Sequence, residues 1–297
     1  MIILVVASCS RVAVGGDGTV LSSAHFLDHG TIPLLGINSD PNVSKEETSV
    51  KLQTDERRSH GALCMFTAFN MDQGLNDILH GGGQLQSRTR IRCKVKSTFS
   101  ETLLVPALND LLIANPSPAA VSRFRMGWMN LCPTGNPSKQ YGTVTRYAAK
   151  RIVKFAVKIS TFSHSSAWLR FGGKSYDVVD SLNVWSSGMW LSTPTGSTAA
   201  MKAAGGKVMP LDSAELQYLI REHMIERTDE TDTSELPEDL NNGMMGMGEK
   251  LHIRWNSQRG KVYIDGSHLT HNLELGDEIM IDNKAPPLKL FTRKEYH

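Results

Sequence analysis

Cysteine, surplus charge and long apolar runs are all scarce in this chain, and each scarcity closes off a class of function. Its four cysteines are Cys9, Cys64, Cys93 and Cys132, none of them in a CxxC pair. That spacing argues against a zinc ribbon or a redox dithiol and fits a reducing compartment. With 32 Lys and Arg against 30 Asp and Glu, the formal net charge is only +2, which gives no footprint for a nucleic acid or a membrane surface. Arg88, Arg90, Arg92, Lys94 and Lys96 do alternate, in the manner of the solvated face of a strand. No apolar run approaches the roughly 20 residues of a membrane span. Met1 to Val6 is apolar but lacks a basic flank, and reads as a strand rather than a signal peptide. No internal repeat is evident.

What is present is ordinary for a soluble protein: 40% apolar and 21% charged residues in a chain of 297. That length exceeds what one hydrophobic core usually carries, so two domains are expected. The first is organised around Val12-Ala13-Val14-Gly15-Gly16-Asp17-Gly18-Thr19, an apolar strand running into a glycine turn, with a helix expected through Ser22, Ala24 and Phe26. Gly15, Gly16 and Gly18 would let the backbone turn sharply and admit an anion. The N–H groups at the helix start would hold a phosphate. A carboxylate inside such a turn would repel that phosphate, unless Asp17 takes a proton from an attacking hydroxyl. The plainer alternative makes Asp17 a helix N-cap.

Ile32 to Asn38 then reads as a buried parallel strand and residues 60 to 79 as a helix, stopped by Gly81-Gly82-Gly83. Past residue 84 the pattern changes to short runs separated by turns. Among them are Leu85 to Val95, Leu111 to Ile113, Leu251 to Trp255, Lys261 to Ile264, Glu278 to Ile281 and Leu288 to Phe291. Such spacing predicts an all-β sandwich. The expected division is an α/β domain over 1–83 and a β-sandwich over 84–297, with an irregular insert at about 127–176. Glu226 to Gly248 reads as a mobile surface loop.

Two further stretches carry polar groups into apolar surroundings. Asn109-Asp110 lies inside an apolar run, where burial costs free energy unless a ligand or an internal hydrogen bond satisfies the pair. Leu191 to Ala200 is a hydroxyl-dense loop leading into a small-residue helix, and by itself could be a simple N-cap cluster. His268 and His271 are too loosely placed to read as metal ligands.

In this order the three stretches resemble the NAD kinase family, with its GGDGT, its Asn-Glu or Asn-Asp pair, its TPTGSTAY loop and a late Asp-Gly turn. Here these stand at Gly15 to Thr19, Asn109-Asp110, Thr193 to Ala200 and Asp265-Gly266. Ala24-His25-Phe26-Leu27, Val121 to Phe124 and Ser197 to Met201 are most similar to the plant-type NADH kinases. The likeness covers about residues 12 to 126 and 185 to 292. It implies ATP-dependent phosphorylation of the adenosine ribose 2′-hydroxyl of NADH or NAD+, with the dinucleotide held between an incomplete Rossmann-like domain and a β-sandwich. It implies Asp17 as proton acceptor and Gly15, Gly16, Gly18 and Thr19 at the ATP phosphates. Asn109, Asp110, Thr195, Gly196, Ser197, Thr198 and Ala199 would line the dinucleotide. Mg²⁺ would accompany ATP, without a dedicated cage in the sequence. A homodimer or homotetramer is implied, in the cytoplasm or, as in plant relatives, the peroxisome.

The family's F-R-G-D-G passage reads Val184-Trp185-Ser186-Ser187-Gly188 here, as in the plant subgroup, and Ala200 stands where Tyr is usual. The family also places βα units ahead of the glycine turn, where this chain has only Met1 to Arg11, so a shortened front is expected. A lipid kinase of the diacylglycerol or sphingosine type also uses GGDGT, and a non-catalytic dinucleotide-binding module is the third possibility.

Overall fold

Ile2–Val6 (β1) and Ser10–Val14 (β2) pair antiparallel, and the chain then enters the helix Asp17–Ala24 (α1). Leu34–Asn38 (β3) follows, parallel to β2. It has no apolar-polar alternation because every one of its residues is buried, as a strand covered on both faces requires. The described residues of this computed structural model are 2–6, 10–27, 29–39, 62–131, 168–224 and 241–292.

Helices cover the two faces of this first sheet. Val20 and Ala24 of α1 pack on Ala13 and Leu34. On the other face Val12, Leu35 and Ile37 meet Met71, Leu75 and Ile78 of the helix Met71–Leu79 (α2). Phe66–Thr67 (β4) and Gln84–Arg88 (β5) belong to the same sheet.

The remaining strands form two antiparallel sheets packed face to face. The first contains Arg92–Lys96 (β6), Glu101–Leu103 (β7), Ser122–Leu131 (β9), Trp168–Phe171 (β10), Lys174–Ser186 (β11), Lys250–Trp255 (β15) and Glu278–Asp282 (β18). Its order is β10-β11-β9-β15-β18-β6-β7. The second contains Asp110–Ala114 (β8), Gly188–Ser192 (β12), Leu216–Arg221 (β13), Asn242–Met245 (β14), Arg259–Ile264 (β16) and Leu269–Glu274 (β17), in the order β14-β13-β12-β8-β16-β17. Val95, Met126, Ile253 and Ile279 from one sheet and Leu111, Ile113, Leu191 and Val262 from the other fill one core. An α/β layer followed by a β-sandwich is the architecture expected from the sequence.

The last strand, Leu288–Thr292 (β19), leaves the sandwich and inserts between β3 and β5 of the first sheet. Two strands from beyond residue 83, β5 and β19, therefore complete the α/β layer, so a cut at 83/84 does not follow the sheets.

Four other expectations need correction. The helix expected over 60–79 begins only at Met71. Ahead of it Phe66–Thr67 pairs with Ile37–Asn38, and the Phe66 ring lies against Gly74. Backbone pairing and that aromatic contact override the helical spacing of Leu63 and Phe66, and residues 60–61 lie outside the described residues. The insert expected from Gly127 to Tyr176 is regular at both ends, as β9 and the β10–β11 hairpin; 132–167 lies outside the described residues. Asn242–Met245, read as mobile loop, is a strand paired with β13; of that loop, 226–240 lies outside the described residues. Finally, Arg88 and Arg90 are not solvated but buried, at 4% and 1% exposure. Leu85 to Val95 is two strands of different sheets, and these arginines lie where the chain crosses between them.

Candidate functional site

The glycine turn is built on one pivot. Gly15 has φ +150, and a Cβ there would stand 2.8 Å from Thr19 Cβ. Gly16 is extended and caps α1 at its N-terminus. Gly18, expected in the turn, lies instead in the first helical turn, exposed, with open space where its Cβ would be. The chain's own atoms do not demand glycine there. Gly16 being the cap, Asp17 is the first helical residue and makes no side-chain cap. Its two carboxylate oxygens instead accept backbone N–H groups of Ala62, at 3.0 Å, and Leu63, at 2.9 Å. Cys64 Sγ lies 4.0 Å from the same carboxylate. Burial, followed by the charge of Asp17, pushes that thiol up to about 12, so it is protonated and inert.

At the other end of α1 a second carboxylate gathers the remaining stretches. Asp265, whose side chain is fully buried, accepts N–H groups from Asn109 at 2.7 Å, Asp110 at 3.0 Å and Leu108 at 2.8 Å. His25 Nε2 lies 2.8 Å from its Oδ2. Asp265 N–H returns a bond to Asp110 O at 3.0 Å. The residue adopts φ +49, a left-handed conformation that Asp tolerates and turns favour. Arg90 Nε donates to Pro286 O at 2.6 Å and Nη1 to Ala24 O at 3.4 Å, placing a cation at the negative end of α1. His25 and Arg90 were missed from the sequence, and Asp265 appeared there only as a turn residue. The pairing of Asp265-Gly266 with His25 across 240 positions leaves no local signal.

The third stretch locks onto the second. Thr193 N–H donates to Asn109 O at 2.9 Å, and its hydroxyl to Leu108 O at 2.5 Å. Gly196 N–H donates to the Thr193 hydroxyl at 3.2 Å. A Cβ at Gly196 would overlap the Asn109 carbonyl and stand 2.8 Å from its Cα. Gly196→Ala is therefore expected to cost about 1–3 kcal/mol of stability, read as a lower midpoint in urea; an unchanged midpoint would show that the two loops are not in contact. Ser197 is buried and structural, its Oγ donating to Pro194 O at 2.7 Å and accepting Met209 N–H at 3.0 Å. Thr198 and Ala199 face outward. Thr195 is buried, and its hydroxyl has no hydrogen-bond partner, a costly state that a ligand would relieve.

The structure thus joins Asn109-Asp110 directly to Thr193–Ala199 and links Asp17 to them along α1. Eight residues from Asp17 to His25 make about 12 Å of helix axis. Asp110 is buried beside Asp265, and burial first, then that neighbouring charge, pushes its carboxyl up to about 7. In the unfolded chain it titrates near 3.9, so between these values the folded state holds more protons and stability falls as pH rises. Asp110→Asn should remove that loss. Urea unfolding at pH 5 and pH 8 is expected to show the variant gaining on the parent toward pH 8; parallel curves would contradict it. His252, pushed down to about 4 by burial, has the opposite slope but is common to both proteins.

Among the described residues no group of three or more His, Cys, Asp or Glu stands together to hold a metal ion. No described helix is long and apolar enough to cross a membrane.

No protein-family model matches the chain. It is 36% identical over 279 residues to a probable NADH kinase of rice (Oryza sativa subsp. japonica), covering 94% of this chain and 69% of that protein. To the NADH kinase of Arabidopsis thaliana it is 35% identical over 280 residues, covering 94% and 71%. The crystal structure of yeast NADH kinase complexed with NADH superposes with a TM-score of 0.62 at 16% identity. That match covers 96% of this chain, which spans only 61% of the yeast protein.

Proposed function

The chain belongs to the NAD kinase family, and on that premise we propose that it transfers the γ-phosphoryl group of ATP to the adenosine ribose 2′-hydroxyl of NADH or NAD+. The ribose oxygen bonds to the γ-phosphorus, the bond from that phosphorus to the β,γ-bridging oxygen breaks, and the hydroxyl proton passes to Asp17. The products are ADP and NADPH or NADP+. Mg²⁺ would accompany ATP as its counter-ion and neutralise charge on the phosphates; among the described residues no cluster of His, Cys, Asp or Glu would hold a resident ion.

The interlock of Asn109 with Gly196, anchored on Asp265, carries this proposal. It makes one polar wall from two loops that meet across 85 positions, with the unpartnered Thr195 hydroxyl on it. Asn109, Asp110, Thr195, Thr198 and Ala199 contact the adenosine moiety, while Gly196 and Ser197 shape the wall from behind. An Asp110 carboxyl that titrates near neutrality can donate as well as accept a hydrogen bond. The ATP phosphates lie against Gly15, Gly16, Gly18 and Thr19, where α1 directs its first N–H groups and the open space at Gly18 leaves room. The assembly is a homodimer or homotetramer, working in the cytoplasm, as the family resemblance implies.

The full chain with ATP and Mg²⁺ is expected to form NADPH from NADH and NADP+ from NAD+. Calorimetric binding of NADH without product would reduce the protein to a dinucleotide-binding module and overturn the kinase assignment.

A further inference from the structure

The outer face of the seven-stranded sheet, away from the sandwich core and from the site above, carries a concentration of cations. Residues of β9 and β15 point alternately into the core and out. Phe124, Met126, Leu251 and Ile253 face in, so Arg125, His252 and Arg254 face out. The register sets Arg254 directly opposite Arg125. Like charges so placed repel and destabilise a strand pair. The facing carboxylate on the next strand, Glu278, is directly opposite Arg254 but makes its ion pair with Lys96, at 3.2 Å. Arg125 Nη2 donates to the Ser181 hydroxyl at 2.9 Å, a neutral partner.

Between these groups lies a cavity of ≈ 180 Å³, lined by Arg125, Ser181, His252, Arg254 and Glu278 with Leu169 at its apolar side. The His252 side chain is 12% exposed. Its Nε2 is shut from solvent and has no hydrogen-bond partner, since Glu278 Oε2 at 3.9 Å is beyond hydrogen-bonding reach. At about 30 Å³ per water the space holds roughly six waters, which suits a small polyatomic ion or a short ester but not a nucleotide.

We propose that this cavity is a binding site for a phosphate group, held by Arg125 and Arg254 across the strand pair, with the His252 ring in its wall. Two planar guanidiniums converging on one space match the oxygens of a phosphate better than a spherical anion. Bound there, the dianion turns the Arg–Arg repulsion into a bridge and sets a negative charge beside the His252 ring. The protonation of His252 should follow. Burial pushes its ring down to about 4, Glu278 acts against this, and Lys96, Arg254 and Arg125 push it lower; an anion among these cations raises it. The site stands apart from the glycine turn and does not depend on the kinase assignment.

The test is calorimetric titration of the full chain at fixed ionic strength with inorganic phosphate and, separately, with glycerol phosphate. The tighter of the two identifies free phosphate or a phosphate monoester as the ligand. The double variant Arg125→Gln, Arg254→Gln separates this site from any phosphate held by the glycine turn. Its affinity is expected to fall at least about tenfold, as loss of charge-assisted hydrogen bonds implies. The His252 ring resonances are expected to shift on phosphate addition in the parent and not in the double variant. Both arginines are exposed on strand faces, so the variant keeps its fold. Without phosphate and at low salt, Arg254→Gln alone is expected to melt higher than the parent, because the repulsion is relieved. Failure of both probes to bind, or equal binding to parent and double variant, would overturn the proposal.

Discussion

Replacing Asp17 by Asn is expected to lower the rate of NADPH formation by about 10²–10⁴-fold, the usual worth of a positioned general base, with little change in KM for NADH. The amide is isosteric and keeps one carbonyl oxygen for Leu63 N–H, but its NH₂ meets the Ala62 N–H, where the carboxylate accepted a bond. One hydrogen bond is lost, worth about 1 kcal/mol, so the variant folds and a small fall in Tm accompanies a large fall in kcat. Steady-state kinetics beside a thermal melt separate the two effects. Turnover within threefold of the parent would remove Asp17 from the chemistry and leave it the task of fastening residues 62–63 to the start of α1.

Asp265→Ala is expected to have the largest effect on stability. It strips the acceptor from three backbone N–H groups, those of Leu108, Asn109 and Asp110, and from the His25 ring. Buried donors left without partners cost about 1–3 kcal/mol each. With partial relaxation, a total of about 3–5 kcal/mol is expected, comparable to breaking a buried ion pair. Urea unfolding measures this directly. Asp265→Asn retains one carbonyl acceptor and should recover part of the loss, providing a folded variant in which NADH affinity can be measured. That affinity is expected to fall, because the Asn109–Asp110 backbone loses its anchor. If Asp265→Ala unfolded at the same denaturant concentration as the parent, the carboxylate would not be what holds the two loops.

Much of this was legible in the residues, and what was not has identifiable physical causes. The β2–turn–α1–β3 unit could be read because each part is local: an apolar strand, a glycine pivot, a continuous apolar run. Leu251 to Trp255 was equally clear, since His252 and Arg254 alternate with buried neighbours, and Glu278 to Ile281 could be read as a short apolar run because both its faces are covered. Strand β9 was missed for the opposite reason. Met126 packs in the sandwich core while Met129 is buried on the outer face with Phe171, Tyr176 and Met280, so no polar alternation survives at its C-terminal end. The alternating cations from Arg88 to Lys96 gave a true period but a false environment, because Arg88 and Arg90 turn into the junction between layers. In the site, the three motif stretches were found by their sequence. The groups that position them were not, since His25, Arg90 and Asp265 act across tens to hundreds of residues. No period or spacing encodes an acceptor shared by four donors.

The return of β19 to the first sheet has a consequence for how the protein is made. Among the described residues, strand β5 attaches to that sheet only through β19, and Leu288 and Leu290 close the cluster beneath α1. During synthesis β1–β4 leave the ribosome before the sandwich strands, yet their layer stays incomplete until residues 288–292 have cleared the exit tunnel. The glycine turn is thus translated well before the strand that completes its sheet.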